Sequence, residues 1–186
     1  MLHDAFSRHH YVSRADTYDE DSINTFGYKG PDECCALLNK HIAPDTTVNI
    51  IDIGAGTGLV GERLHTMGYK SITGIDLSPH MLQKAADKQV YKQLHEANLN
   101  CLNREIHSDN LYDVGVAVGT FTTNHCGVAA LLELTRIVKP NGMLFMSLRD
   151  DFWEDAQNGF QGTINDLIEE TKLSQVSVCD VVSAVL

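Results

Sequence analysis

Positive charge is scarce in this sequence. Its 186 residues hold 14 Lys and Arg against 25 Asp and Glu, a formal net charge of -11. Neutralising phosphates with basic side chains drives nucleic-acid binding. The acidic balance therefore argues against a nucleic-acid partner and favours a small-molecule or protein one. The basic residues are dispersed. Their one ordered group, Lys84, Lys88 and Lys92, has helical spacing and reads as a solvated helix face. No apolar run is long enough to span a bilayer, so no membrane partner is expected. Residues 1–10 are polar and His-rich, unlike a secretory signal. Internal repeats and low-complexity tracts are absent. The five cysteines lack metal-like spacing, and only Cys34 and Cys35 are adjacent. They fit reduced thiols in a cytoplasmic protein, with a Cys34–Cys35 redox pair as the weaker alternative. No His/Cys/Asp cluster has metal-site spacing, so no metal is expected. No Ser-His-Asp order stands out.

What is present is a soluble-domain composition, 43% hydrophobic and 21% charged, in a length suited to one core. Residues 1–30, rich in Asp, Tyr, Ser and His, read as an arm or cap, and residues 31–186 as the domain proper. Pro31-Asp32-Glu33 opens a helix that runs to about residue 41. The β-branched stretch 48–53 predicts a strand buried on both faces. A helix over 59–67, stopped by Gly68, and a strand over 71–75 follow. Ser78-Pro79 starts the next helix, with Ser as N-cap. Further strands are predicted at 94–99, 112–118 and 143–148, with a helix at 128–138 and a turn at Asn141-Gly142. A last helix over 165–172 leads to Val176–Val178. Strands alternating with helices imply right-handed βαβ units and a mainly parallel sheet. Ligands of such sheets bind beyond the carboxyl ends of the strands, where strand order reverses.

The strongest local signal is Asp52-Ile53-Gly54-Ala55-Gly56-Thr57-Gly58. Alternating glycines after a buried strand let the chain turn tightly and let a ligand approach the backbone. The following helix start offers unpaired N–H groups. Two readings compete. Gly56-Thr57-Gly58-Leu59-Val60-Gly61 also fits the dinucleotide pattern G-x-G-x-x-G, and Asp76 suits ribose hydroxyls in either case. Asp52 separates them: a carboxylate there would repel a pyrophosphate but suits a cation carrying an amino group and a sulfonium.

With these residues in view, the stretch 48–148 resembles the class I S-adenosylmethionine-dependent methyltransferases. Asp52, Gly54, Gly56 and Gly58 match their first motif. Ile75-Asp76-Leu77-Ser78-Pro79-His80-Met81 matches their second-strand signature. Tyr112-Asp113-Val114 and the segment from Leu134 to Leu144 extend the match. A closer resemblance is to the methyltransferase-like proteins of the Williams–Beuren syndrome region. Tyr18-Asp19, Tyr28-Lys29-Gly30-Pro31, Val118-Gly119-Thr120-Phe121 and Asn124-His125 carry it.

The resemblance implies an α/β, Rossmann-like, doubly wound, mainly parallel sheet with helices on both faces. It also implies S-adenosylmethionine as cofactor and S-adenosylhomocysteine as product, with an unidentified acceptor. By it, Gly54 and Gly56 line the methionine part, Asp76 takes the ribose, and Leu77 faces the adenine near Met81. Asn98 and Leu99 fall on the adenine-contacting segment, although Ala97-Asn98 stands where many relatives carry Asp. Val118, Gly119 and Thr120 border the methionine end. Tyr18 and Tyr28 either close over the cofactor or are surface aromatics. His125 is the candidate general base, with a structural histidine as the alternative. Asn124 and Phe121 either orient the acceptor or pack the loop. Phe152 and Trp153 either wall the acceptor site or anchor the last helix. Family members close the sheet with an antiparallel pair of strands. Residues 174–178 and 181–186 form that hairpin, or the last strand is missing. A non-catalytic cofactor-binding module and a nicotinamide-dependent oxidoreductase are the competing functions.

Overall fold

A computed structural model describes residues 28–45, 47–122, 126–170 and 172–173. Tyr18, Asn124, His125 and the C-terminal hairpin lie outside them. In chain order the elements are α1 (Gly30–His41), β1 (Asn49–Ile53), α2 (Leu59–Thr66), β2 (Ser71–Asp76), α3 (Pro79–Asp87) and β3 (Gln93–Glu96). Then come β4 (Tyr112–Phe121), α4 (Val128–Ile137), β5 (Val138–Leu148), α5 (Asp150–Glu154), a 3₁₀ turn and α6 (Phe160–Glu169).

The five strands form one parallel sheet in the order β3-β2-β1-β4-β5. Strands buried on both faces need apolar side chains at successive positions. In β1, Ile50 to Ile53 are all buried. Ile51 and Ile53 join β4 residues Ala117 and Phe121 in a core under α4 and α6. Ile50, Ile72, Val114 and Val116 form a second core with Cys34, Cys35 and Leu38 of α1 and Val60 and Leu64 of α2. The sheet is doubly wound: the chain builds β1, β2 and β3 outward in one direction, then returns to place β4 on the other side of β1. The strand order therefore reverses between β1 and β4, which marks the ligand edge.

Local chemistry sets the boundaries near that edge. Ser78 is the N-cap of α3, its Oγ accepting from the Met81 N–H at 3.3 Å, and Pro79 follows it. The helix then ends at Asp87, and Gln89 turns the chain at φ 55°. Lys84, Lys88 and Lys92 are consequently not one helical face. Lys88 pairs with Glu62 of α2 at 3.2 Å, and Lys92 donates to Ser71 Oγ at 3.0 Å.

At the far, amino end of the sheet, Asp113 accepts from the Asn49 N–H at 2.9 Å and from Lys139 Nζ at 2.7 Å. The Tyr112-Asp113-Val114 motif is thus a fastening between strands. Arg136, in the next motif, donates to Glu133, Asp109 and the His107 carbonyl, tying α4 to the loop before β4. Among the described residues no helix is long and apolar enough to cross a membrane.

Candidate active site

The loop after β1 and the end of β4 meet at the reversal point. Gly54, Gly56 and Gly58 all have positive φ, 73°, 54° and 91°. The Gly54 and Ala55 N–H groups both donate to the Ile75 carbonyl, at 2.8 and 2.9 Å, which folds the loop back over β2. Gly54 and Gly56 remain half-exposed, and Gly119 is exposed across the gap at φ 68°. Three backbone positions without side chains, on two segments, therefore open on one crevice. Gly119 stands in a register shift between β4 and β5, where its N–H donates to Ser147 Oγ at 2.9 Å. Tyr28 lies close over it: a Cβ on Gly119 would come within 2.7 Å of the Tyr28 hydroxyl. Val118 is half-buried beside it.

Thr120 turns the other way. It is buried, its hydroxyl donates to the Ile53 carbonyl at 2.7 Å, and it fills the space a side chain on Gly54 would need. It shapes the crevice from beneath. Phe121 is fully buried against Phe160, and Phe152 meets the same ring edge-on. Both aromatics anchor α6, and Trp153 packs partly buried on that core.

Asp76 ends β2 half-buried at the crevice. One carboxylate oxygen accepts from the Gly56 N–H at 2.9 Å and the other from the Ser78 N–H at 2.8 Å. Leu77 follows, half-buried, and Met81 is buried on α3. The third strand is shorter than the sequence predicts, because Asn98 folds into a turn, its side chain accepting from the Asn100 N–H at 3.0 Å. Leu99 is buried in the core with Ile53 and Ile75.

Asp52 is 1% exposed and faces α1 and α2, on the same side of β1 as Ile50. Burial pushes its carboxyl up to about 7, against the pull of a hydrogen bond from Tyr91, and Asp76 adds repulsion. Tyr91 is the residue that sequence reasoning missed. It follows Val90 in the short stretch between a helix and a strand, and nothing local marks it.

Burial raises the Cys34 thiol to about 12 and the Cys35 thiol further still, so neither is poised as a reactive thiolate. His107 is buried beside Tyr112, and burial with the neighbouring His95 lowers it to about 4. No group of three or more His, Cys, Asp or Glu among the described residues could hold a metal ion.

These two buried groups oppose each other in pH. Between about pH 4 and pH 7 folded Asp52 holds a proton that the unfolded chain releases, so it lowers stability as pH rises. Between 6.5 and about 4 the unfolded chain protonates His107 and the folded one does not, so acid destabilises. Asp52→Asn should leave the histidine unopposed and make the variant lose stability on acidification more steeply than the wild type. Urea midpoints at the two ends of that range measure this. Parallel pH profiles would contradict it.

Residues 51–146 match the methyltransferase domain family, and the chain belongs to it. S-adenosylmethionine is the methyl donor of this class, whose fold is the one described above. Human methyltransferase-like protein 27 is 29% identical over 144 residues, covering 76% of this chain and 57% of that protein. The malonyl-[acyl-carrier protein] O-methyltransferase of Halalkalibacterium halodurans is 31% identical over 160 residues, covering 82% and 58%. The chain thus spans somewhat over half the length of these relatives. In fold it is similar to a putative S-adenosyl-L-methionine-dependent methyltransferase from Methanococcus maripaludis, with a TM-score of 0.59 at 21% identity, covering 86% of this chain and 71% of that one.

Proposed function

We propose that this chain binds S-adenosylmethionine across the reversal point and transfers its methyl group to a small-molecule or protein acceptor. One observation carries the reading. Half-exposed Gly54 and Gly56, exposed Gly119 and the Asp76 carboxylate converge on one crevice, where a Cβ on Gly56 would meet no atom closer than 3.9 Å. A backbone cradle with an acid at one end fits a ligand that carries both a sugar diol and an amino-acid end.

In this reading Asp76 accepts from the ribose hydroxyls, held in position by its two backbone N–H donors. Leu77 lies against the adenine, with Met81, Asn98 and Leu99 on that side. Gly54 and Gly56 let the methionine part approach the main chain, whereas Gly58, expected there from the sequence, is buried against Ala85 and Tyr91 and serves the turn itself. Val118, Gly119 and Tyr28 border the end from which the methyl leaves. When bound, the cofactor supplies an electrophilic methyl group on a sulfonium. The protein's task is alignment of the acceptor with that carbon, which can supply about 7–11 kcal/mol of the barrier. A general base is needed only for an acceptor protonated at working pH, and His125 is the proposed base. The free, buried Cys34 and Cys35 support a cytoplasmic setting.

The glycine pattern shared with dinucleotide sites does not favour that alternative, because Gly61 is accounted for by the ring of Tyr91, which a Cβ there would overlap.

Calorimetric titration with S-adenosylmethionine tests the assignment. Asp76→Ala should weaken binding by about 1–3 kcal/mol, the effect of stranding hydrogen-bond partners. Unchanged affinity would remove Asp76 from the site. Release of S-adenosylhomocysteine on adding an acceptor pool separates a transferase from a module that only binds.

A further inference from the structure

Tyr91, between α3 and β3, occupies a slot formed by three glycines from three segments. A Cβ on Gly58 would lie 3.1 Å from its Cε2 and one on Gly74 3.0 Å from its Cε1, while one on Gly61 would overlap its Cζ and hydroxyl. The absent side chains at Gly58, Gly61 and Gly74 are what admit the ring. At the inner end the hydroxyl makes two bonds. It accepts from the Gly61 N–H at 3.1 Å and donates to Asp52 Oδ2 at 2.6 Å. The Gly61 N–H belongs to the first turn of α2, where N–H groups have no partner within the helix. Asp52 Oδ1 is buried without a hydrogen-bond partner among the described residues.

The ionisable groups around Asp52 are Tyr91, Asp76 of β2, and the thiols of Cys34 and Cys35 on α1. Beyond Cys35 stands the Asp32–Arg63 pair, which joins α1 to α2. Glu62 of α2 is paired with Lys88. Among the described residues Asp52 makes no ion pair. A buried carboxylate with one satisfied and one orphaned oxygen is costly unless positive charge approaches it. Two residues on, the chain opens into the crevice loop.

We propose that Tyr91 is a positioning residue: from its glycine slot the hydroxyl fixes the Asp52 carboxylate and the first turn of α2, so that one negative charge beneath the loop favours the sulfonium donor over its neutral thioether product. This rests on the cofactor reading above. Donor and product share the same amino-acid end and differ in charge at sulfur. The ratio of their affinities therefore reports the effect of Asp52 once the titration of each free ligand's amino group, which the sulfonium makes more acidic in the donor, is measured and subtracted.

The test is calorimetry with S-adenosylmethionine and S-adenosylhomocysteine from about pH 6 to about pH 8, bracketing the Asp52 midpoint near 7. In the wild type, preference for the donor should rise roughly tenfold across that range, as one charge appears near the sulfonium. Asp52→Asn should abolish the rise. Tyr91→Phe removes a hydrogen bond to the charged form, so the rise should move to higher pH. A flat ratio in the wild type overturns the proposal, as does a Tyr91→Phe profile that coincides with the wild type. Failure of the wild type to bind either ligand at any pH would instead overturn the cofactor reading. If Tyr91→Phe does not fold, NMR of wild-type protein labelled at tyrosine Cζ decides. One tyrosine resonance should follow the midpoint of the affinity ratio, and the absence of any such resonance overturns the positioning role.

Discussion

Phe160→Ala should lower the unfolding free energy by about 3–5 kcal/mol, the usual loss for truncating a fully buried phenylalanine. The ring is 0% exposed, with centroids 4.9 Å from Phe121 and 5.3 Å from Phe152. Aromatic pairs in tilted or edge-on arrangements add to simple area burial. The three rings join the end of β4, α5 and the start of α6, so the cavity would open behind the strand that carries Gly119. Denaturant unfolding of wild type and variant measures the difference. A loss below about 1 kcal/mol would mean that the site collapses freely or is not packed as described.

Gly54→Ala carries the second large effect, and it combines two penalties. At φ 73° a side chain is strained wherever it points. The added Cβ would also overlap Thr120 Oγ1 and lie 2.9 Å from Thr120 Cγ2. Thr120 has little freedom to yield, because its hydroxyl is bonded to the Ile53 carbonyl. Strain and overpacking together predict about 2–4 kcal/mol of destabilisation. Gly56→Ala provides the control. Its φ of 54° is also positive, but its nearest contact would be 3.9 Å away, so only the backbone penalty applies. Thermal and denaturant midpoints should therefore rank wild type, Gly56→Ala and Gly54→Ala in that order. Equal losses for the two variants would discard the Thr120 contact as a cause.

Much of this fold was legible because local and tertiary preferences agree. Residues 48–53 carry Val48, Ile50, Ile51 and Ile53, and β1 is buried on both faces from Ile50 onward. Ser78-Pro79 announced a capped helix, and the cap is present. The departures arise where tertiary packing overrides local pattern. Asn141-Gly142 reads as a turn before a strand at 143–148, but β5 already begins at Val138. There the pair is an irregularity inside the strand, with Asn141 at φ 65°, and Lys139 is fastened to Asp113. Likewise the sequence places the last helix at 165–172. The burial of Phe160 starts α6 five residues earlier. Around the candidate site, the alternating glycines, Asp52 and Asp76 stand out in the sequence itself. Tyr91 does not, since its slot exists only where the loop after β1, α2, β2 and the segment after α3 meet.

Strand β4 is tied to β1 beyond the ladder itself. Asp113 grips the amino end of β1, and Thr120 holds its last carbonyl. A strut pinned at both ends resists splaying, so the two walls of the crevice are expected to keep their spacing when a guest enters. Motion needed to admit and expel that guest must then come from the rim, not from the floor. The frame arrives at the encounter already in shape, and little ordering entropy is left for it to lose.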